Sequence, residues 1–233
     1  MSGCTELIER RMVIDPPLVH TKRLVRAYLR WQVRPRVWLY RRLWERIGPD
    51  RAMQWASESV AGRPGPLGVL YRAAFYENIL AGVGEDVTIG LGTCFSRAEA
   101  VLGDRVYLGR YCSVGWAEIG DEVKVADGAQ LLSGRRHHEP GCGTVKLEKI
   151  TIGRGAWIGA GAIVMADVGE AARVGAGSVV VHPVPAGTTV AGIPARPIRN
   201  GQPLAYPQPR PRMPGRCPDG FVGHENHPQL TGA

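Results

Sequence analysis

Between residues 81 and 199 apolar side chains return at every sixth position. Val83, Ile89 and Phe95 open the series, followed by Leu102, Leu108 and Val114, then Ile119, Val125 and Leu131, then Ile152, Ile158 and Val164, then Val174 and Val180. The next residue is usually small, as at Gly84, Gly90, Ser96, Gly103, Gly109, Gly120, Gly153, Gly159 and Gly175. A second small or β-branched residue stands four places on in several units: Val87, Cys112, Val123, Ala129, Ala156 and Ala162. A helix does not account for this, because six is not a multiple of 3.6 and each interior glycine would cost about 1 kcal/mol. A doubly wound α/β fold is excluded as well, since no helix-length segments separate the units. The pattern predicts an all-β solenoid in which three units make one triangular coil. The aliphatic residue of each unit points inward and stacks on its counterpart in the next coil. Coils pair as parallel strands about 4.8 Å apart, and the small residue leaves room for a tight corner.

The period breaks most in two places. Residues 133–149 (SGRRHHEPGCGTVKLEK) do not fit and interrupt the coils between Leu131 and Ile152. After Val164, MADVGEAAR is two residues too short to reach Val174 in register, so the coil tightens there or turns a different corner.

The flanking regions have other patterns. Residues 1–80 carry apolar side chains at helical spacings, among them Leu24, Val25, Tyr28, Leu29, Trp31, Val37, Trp38, Tyr40, Leu43 and Trp44. They predict one or two amphipathic helices interrupted at Pro35, with a further short helix in Leu67–Leu80 after the loop GRPGP. Residues 200–233 hold seven Pro and five Gly without apolar period and read as an extended tail. The expected division is a basic helical region over 1–80, the coil over 81–199 and the tail over 200–233.

Composition sharpens this in three ways. The chain has 31 glycines in 233 residues, well above the usual roughly 7%. The net charge of +8 is local, with ten Lys or Arg between Lys22 and Arg51 against Glu45 and Asp50. Such a segment suits a solvated helix face or a polyanionic partner. It matches no nucleic-acid reader motif, and nucleic acid is not expected as a partner. The five cysteines are odd in number and include no CxxC pair, so reduced thiols in a cytoplasmic protein are expected. No apolar run approaches the ~18 residues of a membrane span.

The runs ITIGRGAWIGAGAIVM and VGAGSVVVHPVPAGTTVAGIPARPIR resemble the bacterial hexapeptide-repeat acetyltransferases, of the maltose, galactoside, nodulation and polysaccharide O-acetyltransferase kinds. The likeness covers about 81–199. It implies a left-handed parallel β-helix, against the usual right-handed crossover. It also implies a homotrimer with active sites between neighbouring subunits, acetyl-CoA as co-substrate, no metal, and a small-molecule or saccharide acceptor.

Acyl transfer from a thioester to a hydroxyl or amine needs a base to take the acceptor proton. In the resembled family that base is a His on the loop that breaks the coils, shortly after a strand end such as Leu132-Ser133-Gly134. This chain offers His137 and His138; the spacing favours His138 without excluding His137. The resemblance further implies CoA contacts at the corner residues Ala160 and Ala176. His182 stands where the family often has Lys near the CoA phosphates, and Arg196 and Arg199 match its phosphate-facing basic residues.

Two other classes fit the coil. A zinc hydratase of the γ-carbonic-anhydrase type needs three converging His, whereas His137 and His138 are adjacent and only His182 joins them in the repeat. A catalytically silent binding module would not need the loop His pair or the AGIPAR turn. Three readings remain open for the basic segment 22–51: a cap on the open end of the stack, a wall of the acceptor pocket, or peripheral contact with an anionic membrane at its inner face through Trp31, Trp38 and Trp44.

Overall fold

The computed structural model describes residues 16–133, 148–199 and 202–203. Residues 82–199 wind into a parallel β-helix with three faces. The first face stacks β1 (Gly82–Val83), β4 (Val101–Leu102), β7 (Ala117–Ile119) and β10 (Ile150–Ile152). The second stacks β2 (Thr88–Ile89), β5 (Tyr107–Leu108), β8 (Lys124–Val125), β11 (Trp157–Ile158), β13 (Arg173–Val174) and β15 (Thr189–Ala191). The third stacks β3 (Cys94–Phe95), β6 (Ser113–Val114), β9 (Gln130–Leu131), β12 (Ile163–Val164) and β14 (Val179–Val180).

The six-residue series lies in register. Val83 pairs with Leu102 and Leu102 with Ile119 on the first face; Ile89, Leu108, Val125, Ile158 and Val174 follow one another on the second; Phe95, Val114, Leu131, Val164 and Val180 on the third. All but the half-buried Val83 are buried, as are Val87, Cys112, Val123, Ala129, Ala156 and Ala162. Successive inward columns therefore fill the interior, and no single coil buries its apolar face alone.

The second break in period is a shortened corner. Val168 takes the inward position of the first face and bridges Ile152 and Val184, sixteen residues away on either side. The coil loses two residues between Val164 and Val168, and again between Val180 and Val184. Val168 and Val184 thus belong to the inward set, which strict six-residue spacing does not reveal.

The glycines act differently from the simple expectation. A Cβ on Gly90 or Gly159 would fall inside the backbone of the next coil, so these positions answer to close approach between coils. The left-handed backbone is two residues later. There φ is 65° at Gly161 and 65° at Gly177, but Asp86, Arg105, Tyr111, Glu122 and Ala171 take the same conformation with side chains.

Three helices precede the coil: α1 (Pro16–Ile47), α2 (Pro49–Ala61) and α3 (Gly65–Tyr76). Contrary to expectation, α1 is not interrupted at Pro35. Proline removes the bond to the carbonyl of Trp31, but Trp31 and Pro35 both lie on the exposed side. The buried side, with Leu29, Val33, Val37 and Tyr40 against α2 and α3, holds the helix together across the site.

The cap on the first coil comes from α2 and α3. Phe95 is held at both polar atoms by Ser57, whose Oγ donates to the Phe95 carbonyl (2.7 Å) and accepts from its N–H (3.0 Å). Buried Arg72 donates from Nε to the Ile89 carbonyl (2.9 Å), and the Gly92 N–H donates to Ala61 (2.9 Å). These bonds satisfy a strand edge that would otherwise be a template for pairing. At the far end β16 (Arg196–Arg199) turns back antiparallel onto β15, and β17 (Gln202–Pro203) onto β16.

Candidate active site

The triangular section sorts the predicted residues by corner. The corner between the third and first faces is where the coil is interrupted. β9 ends at Leu131, and the Leu132 N–H still bonds Val164 (2.8 Å). Ser133 is buried, its Oγ accepting from the Trp116 N–H (2.5 Å). The coil resumes beside the same tryptophan, with the Ile150 N–H on the Trp116 carbonyl (3.1 Å) and Lys149 paired to Glu118 (2.6 Å). His137 and His138 belong to the interruption and lie outside the described residues. His182, half-buried, stands on this corner too, between Val180 and Val184 and two coils beyond the interruption.

Ala160 and Ala176 come together on the corner between the second and third faces. They are exposed and stacked, the Gly177 N–H donating to the Ala160 carbonyl (2.8 Å). Below them the Gly161 N–H bonds Asp127 (3.0 Å), and below that the Gly128 N–H bonds Arg110 (2.7 Å). Above them β15 brings Ala191 over Gly175, and the antiparallel return sets Arg196 opposite Ala191. One edge thus carries two methyl-sized corners with a half-buried arginine at its top. The side chain of Arg199 lies outside the described residues. About five residues of extended chain separate this edge from the interrupted corner, on the order of 17 Å.

Electrostatics distinguish the lower part of this edge. The Arg110 N–H, which donates to Asp127 (2.8 Å), holds that carboxyl below its usual range; burial opposes the shift, and the Arg110 guanidinium (3.0 Å) adds to it. Burial pushes the Cys94 and Cys112 thiols up, so neither offers a thiolate nucleophile near neutral pH. Among the described residues no three His, Cys, Asp or Glu side chains converge as a metal site.

One surface escaped the sequence reading. On the second face Tyr107, Lys124, Trp157 and Arg173 stack outward in register. With Arg105 and Glu122 at their margin, the last three line a cleft of about 660 Å³. The same six-residue period shifted back by one residue would have exposed this ladder.

Solved structures match this architecture. A maltose O-acetyltransferase from Clostridium difficile 630 aligns over 69% of this chain and 88% of its own, with a TM-score of 0.58 and 19% identity. A galactoside acetyltransferase in complex with coenzyme A aligns over 62% and 78%, with a TM-score of 0.52 and 25% identity. The chain has the fold of the hexapeptide-repeat acetyltransferases. A further protein described by that name, from Vibrio cholerae O1 biovar eltor and complexed with acetyl coenzyme A, aligns over 61% and 81% at a TM-score of 0.53 and 20% identity. No protein-family profile and no curated protein sequence matches the chain. Among the described residues no helix is long and apolar enough to cross a membrane.

Proposed function

We propose that this chain is an acyl-CoA-dependent acyltransferase that moves acetyl from acetyl-CoA to a hydroxyl of a sugar or polysaccharide precursor. The observation that carries this reading is the edge on which Ala160, Ala176 and Arg196 align. Methyl-sized corners let an extended pantetheine approach backbone amides, and a guanidinium at the top suits phosphate oxygens. The galactoside acetyltransferase in complex with coenzyme A, at 25% identity, supports the same assignment.

In this reading His138, or His137 in its place, takes the proton of the acceptor hydroxyl as that oxygen attacks the thioester carbonyl. Backbone N–H groups stabilise the oxyanion. Collapse breaks the C–S bond, and the imidazolium returns its proton to the departing CoA sulfur. Arg199 completes the set assigned to the CoA phosphates, whereas His182, on the interrupted corner, would join it only from a neighbouring protomer. The catalytic unit is the coil of residues 81–199, capped by α2 and α3. Assembly as a homotrimer would bring the interrupted corner of one protomer toward the bare edge of its neighbour. Exposed Tyr107, Tyr111 and Trp157, on the second face and its adjoining corner, support burial of that surface between subunits.

The test is release of free thiol from acetyl-CoA, followed with a chromogenic disulfide, against a panel of saccharides and amines. Acceptor-dependent thiol release with a saccharide is expected. Turnover with amines alone would replace the hydroxyl acceptor, and no acceptor-dependent release across the panel would overturn the assignment.

A further inference from the structure

The long helix α1 has an outer face that neither the coil nor the proposed chemistry uses. Residues advance about 100° each along a helix. Leu29, Val33, Val37 and Tyr40 therefore share the side packed on α2 and α3. Trp31, Pro35, Trp38 and Arg42 share the opposite side. Trp31 is 65% exposed, Trp38 60% and the flanking Tyr28 57%, which is unusual for side chains of this size.

The charges around this aromatic stripe are positive with one exception. Arg34, Arg41, Arg42 and Arg46 border it, and the Arg42 guanidinium lies 5.5 Å from the centre of the Trp38 ring. Glu45 is the lone acid of α1 among residues 25–47, and Arg42 stands 3.9 Å from it. Arg34 and Arg41 make no ion pair among the described residues. Two shallow grooves flank Pro35. One, of about 360 Å³, is lined by Trp31, Gln32, Arg34, Pro35 and Arg63. The other, of about 530 Å³, is lined by Arg34, Pro35, Val37, Trp38, Arg41 and Asn78.

We propose that this face of α1 docks the protein on an anionic lipid surface. Indoles prefer the boundary between headgroups and acyl chains, where their apolar area is buried and their N–H stays near polar partners. Arginines beside them meet lipid phosphates, at about 1 kcal/mol per basic residue near an anionic surface. The helix lies along the surface and does not cross it. A second copy of the chain is the weaker occupant: it would bring the same arginines and a net charge of +8 against this face.

Flotation of the full-length protein with vesicles tests this. Vesicles of phosphatidylcholine alone are compared with vesicles in which about a quarter of the lipid is phosphatidylglycerol, at low and high salt. The protein is expected to float with the anionic vesicles, not with the neutral ones, and to be released by salt. The double variants Trp31→Ala/Trp38→Ala and Arg34→Glu/Arg41→Glu should each lower the partition coefficient by about tenfold or more. Their thermal melts should match the parent, because the altered side chains are exposed. Equal flotation with both vesicle types, no flotation with either, or full retention by both variants overturns the proposal. So does a loss of oligomer size in the tryptophan variant with unchanged vesicle binding, which assigns the face to another copy. Binding of a single-stranded oligonucleotide in preference to anionic vesicles overturns it as well.

Discussion

Two corners of the same solenoid make the same backbone turn and use it differently. The corner between the first and second faces carries charge in its first five coils and gives way to Ala186 in the sixth. Asp104 Oδ1 accepts from the Glu85 N–H (2.8 Å), Asp121 Oδ1 from the Asp104 N–H (2.9 Å), and Glu122 bridges Arg105 (2.8 Å) and Arg154 (3.4 Å). The corner between the second and third faces is alike in its second and third coils, with Asp127 on the Arg110 N–H, and then changes. In the fourth and fifth coils it carries only Ala160 and Ala176 in place of a charged residue, with Arg196 above them. Carboxylates at a corner satisfy amides of the neighbouring coil, so their replacement by methyl groups leaves room along one edge. Stability alone does not ask for that room; a ligand lying along the edge does.

The sharpest way to break this contrast is at the third corner, where the coil is interrupted. His138→Ala is expected to lower turnover by about 10²- to 10⁴-fold while leaving the melt unchanged. Full thiol release in both His138→Ala and His137→Ala would remove the imidazole from the mechanism. Next in size is Gly159→Val on the bare edge. Its side chain would enter the backbone of Gly175 and Ala176. A loss of about 3 kcal/mol or more is expected, read as a lower denaturation midpoint.

Ala176→Trp compared with Ala186→Trp sharpens the comparison directly. Both alanines are exposed corner residues, one on the bare edge and one on the charged corner. The first should raise the KM for acetyl-CoA by about tenfold or more, and the second should leave it unchanged. Equal effects would deny the bare edge any special part in binding.

The smallest effect belongs to the charged corner. Hydrogen bonding from Arg105, then the nearby Arg154 charge, holds the Glu122 carboxyl below its ordinary range. A lowered folded-state value means that its contribution is complete above the unfolded value. It fades as pH falls through the lowered one. The part of the melting midpoint that Glu122 contributes should therefore be constant above about pH 5 and fade below about pH 4. Glu122→Gln should soften that decline slightly, and salt should mask the difference because the pair is exposed.

How much was legible in the chain follows from which contacts are periodic. The inward residues from Val83 to Val180 are readable because each coil repeats the same demand at the same interval. Val168 and Val184 were hidden because a tightened corner shortens the interval from six to four. The left-handed corner positions were hidden because Asp86, Arg105, Tyr111, Glu122 and Ala171 occupy a conformation usually sought by its glycines. Ala160, Ala176 and Arg196 were named from the family resemblance, and the spacing alone did not bring Arg196 beside the two alanines. Arg196 joins the edge only through an antiparallel return at the end of the stack.

By itself the amino-acid order determined the solenoid, its inward columns and the place of its interruption, because these depend on spacing along the chain. Tertiary structure decided which corner each residue occupies, since corner identity depends on the running length of every preceding coil. It also decided that α1 continues through Pro35, where packing on α2 and α3 outweighs one lost backbone bond. And it decided that Ser57 and Arg72 close the first coil, because a strand edge accepts whatever polar group the fold brings to it.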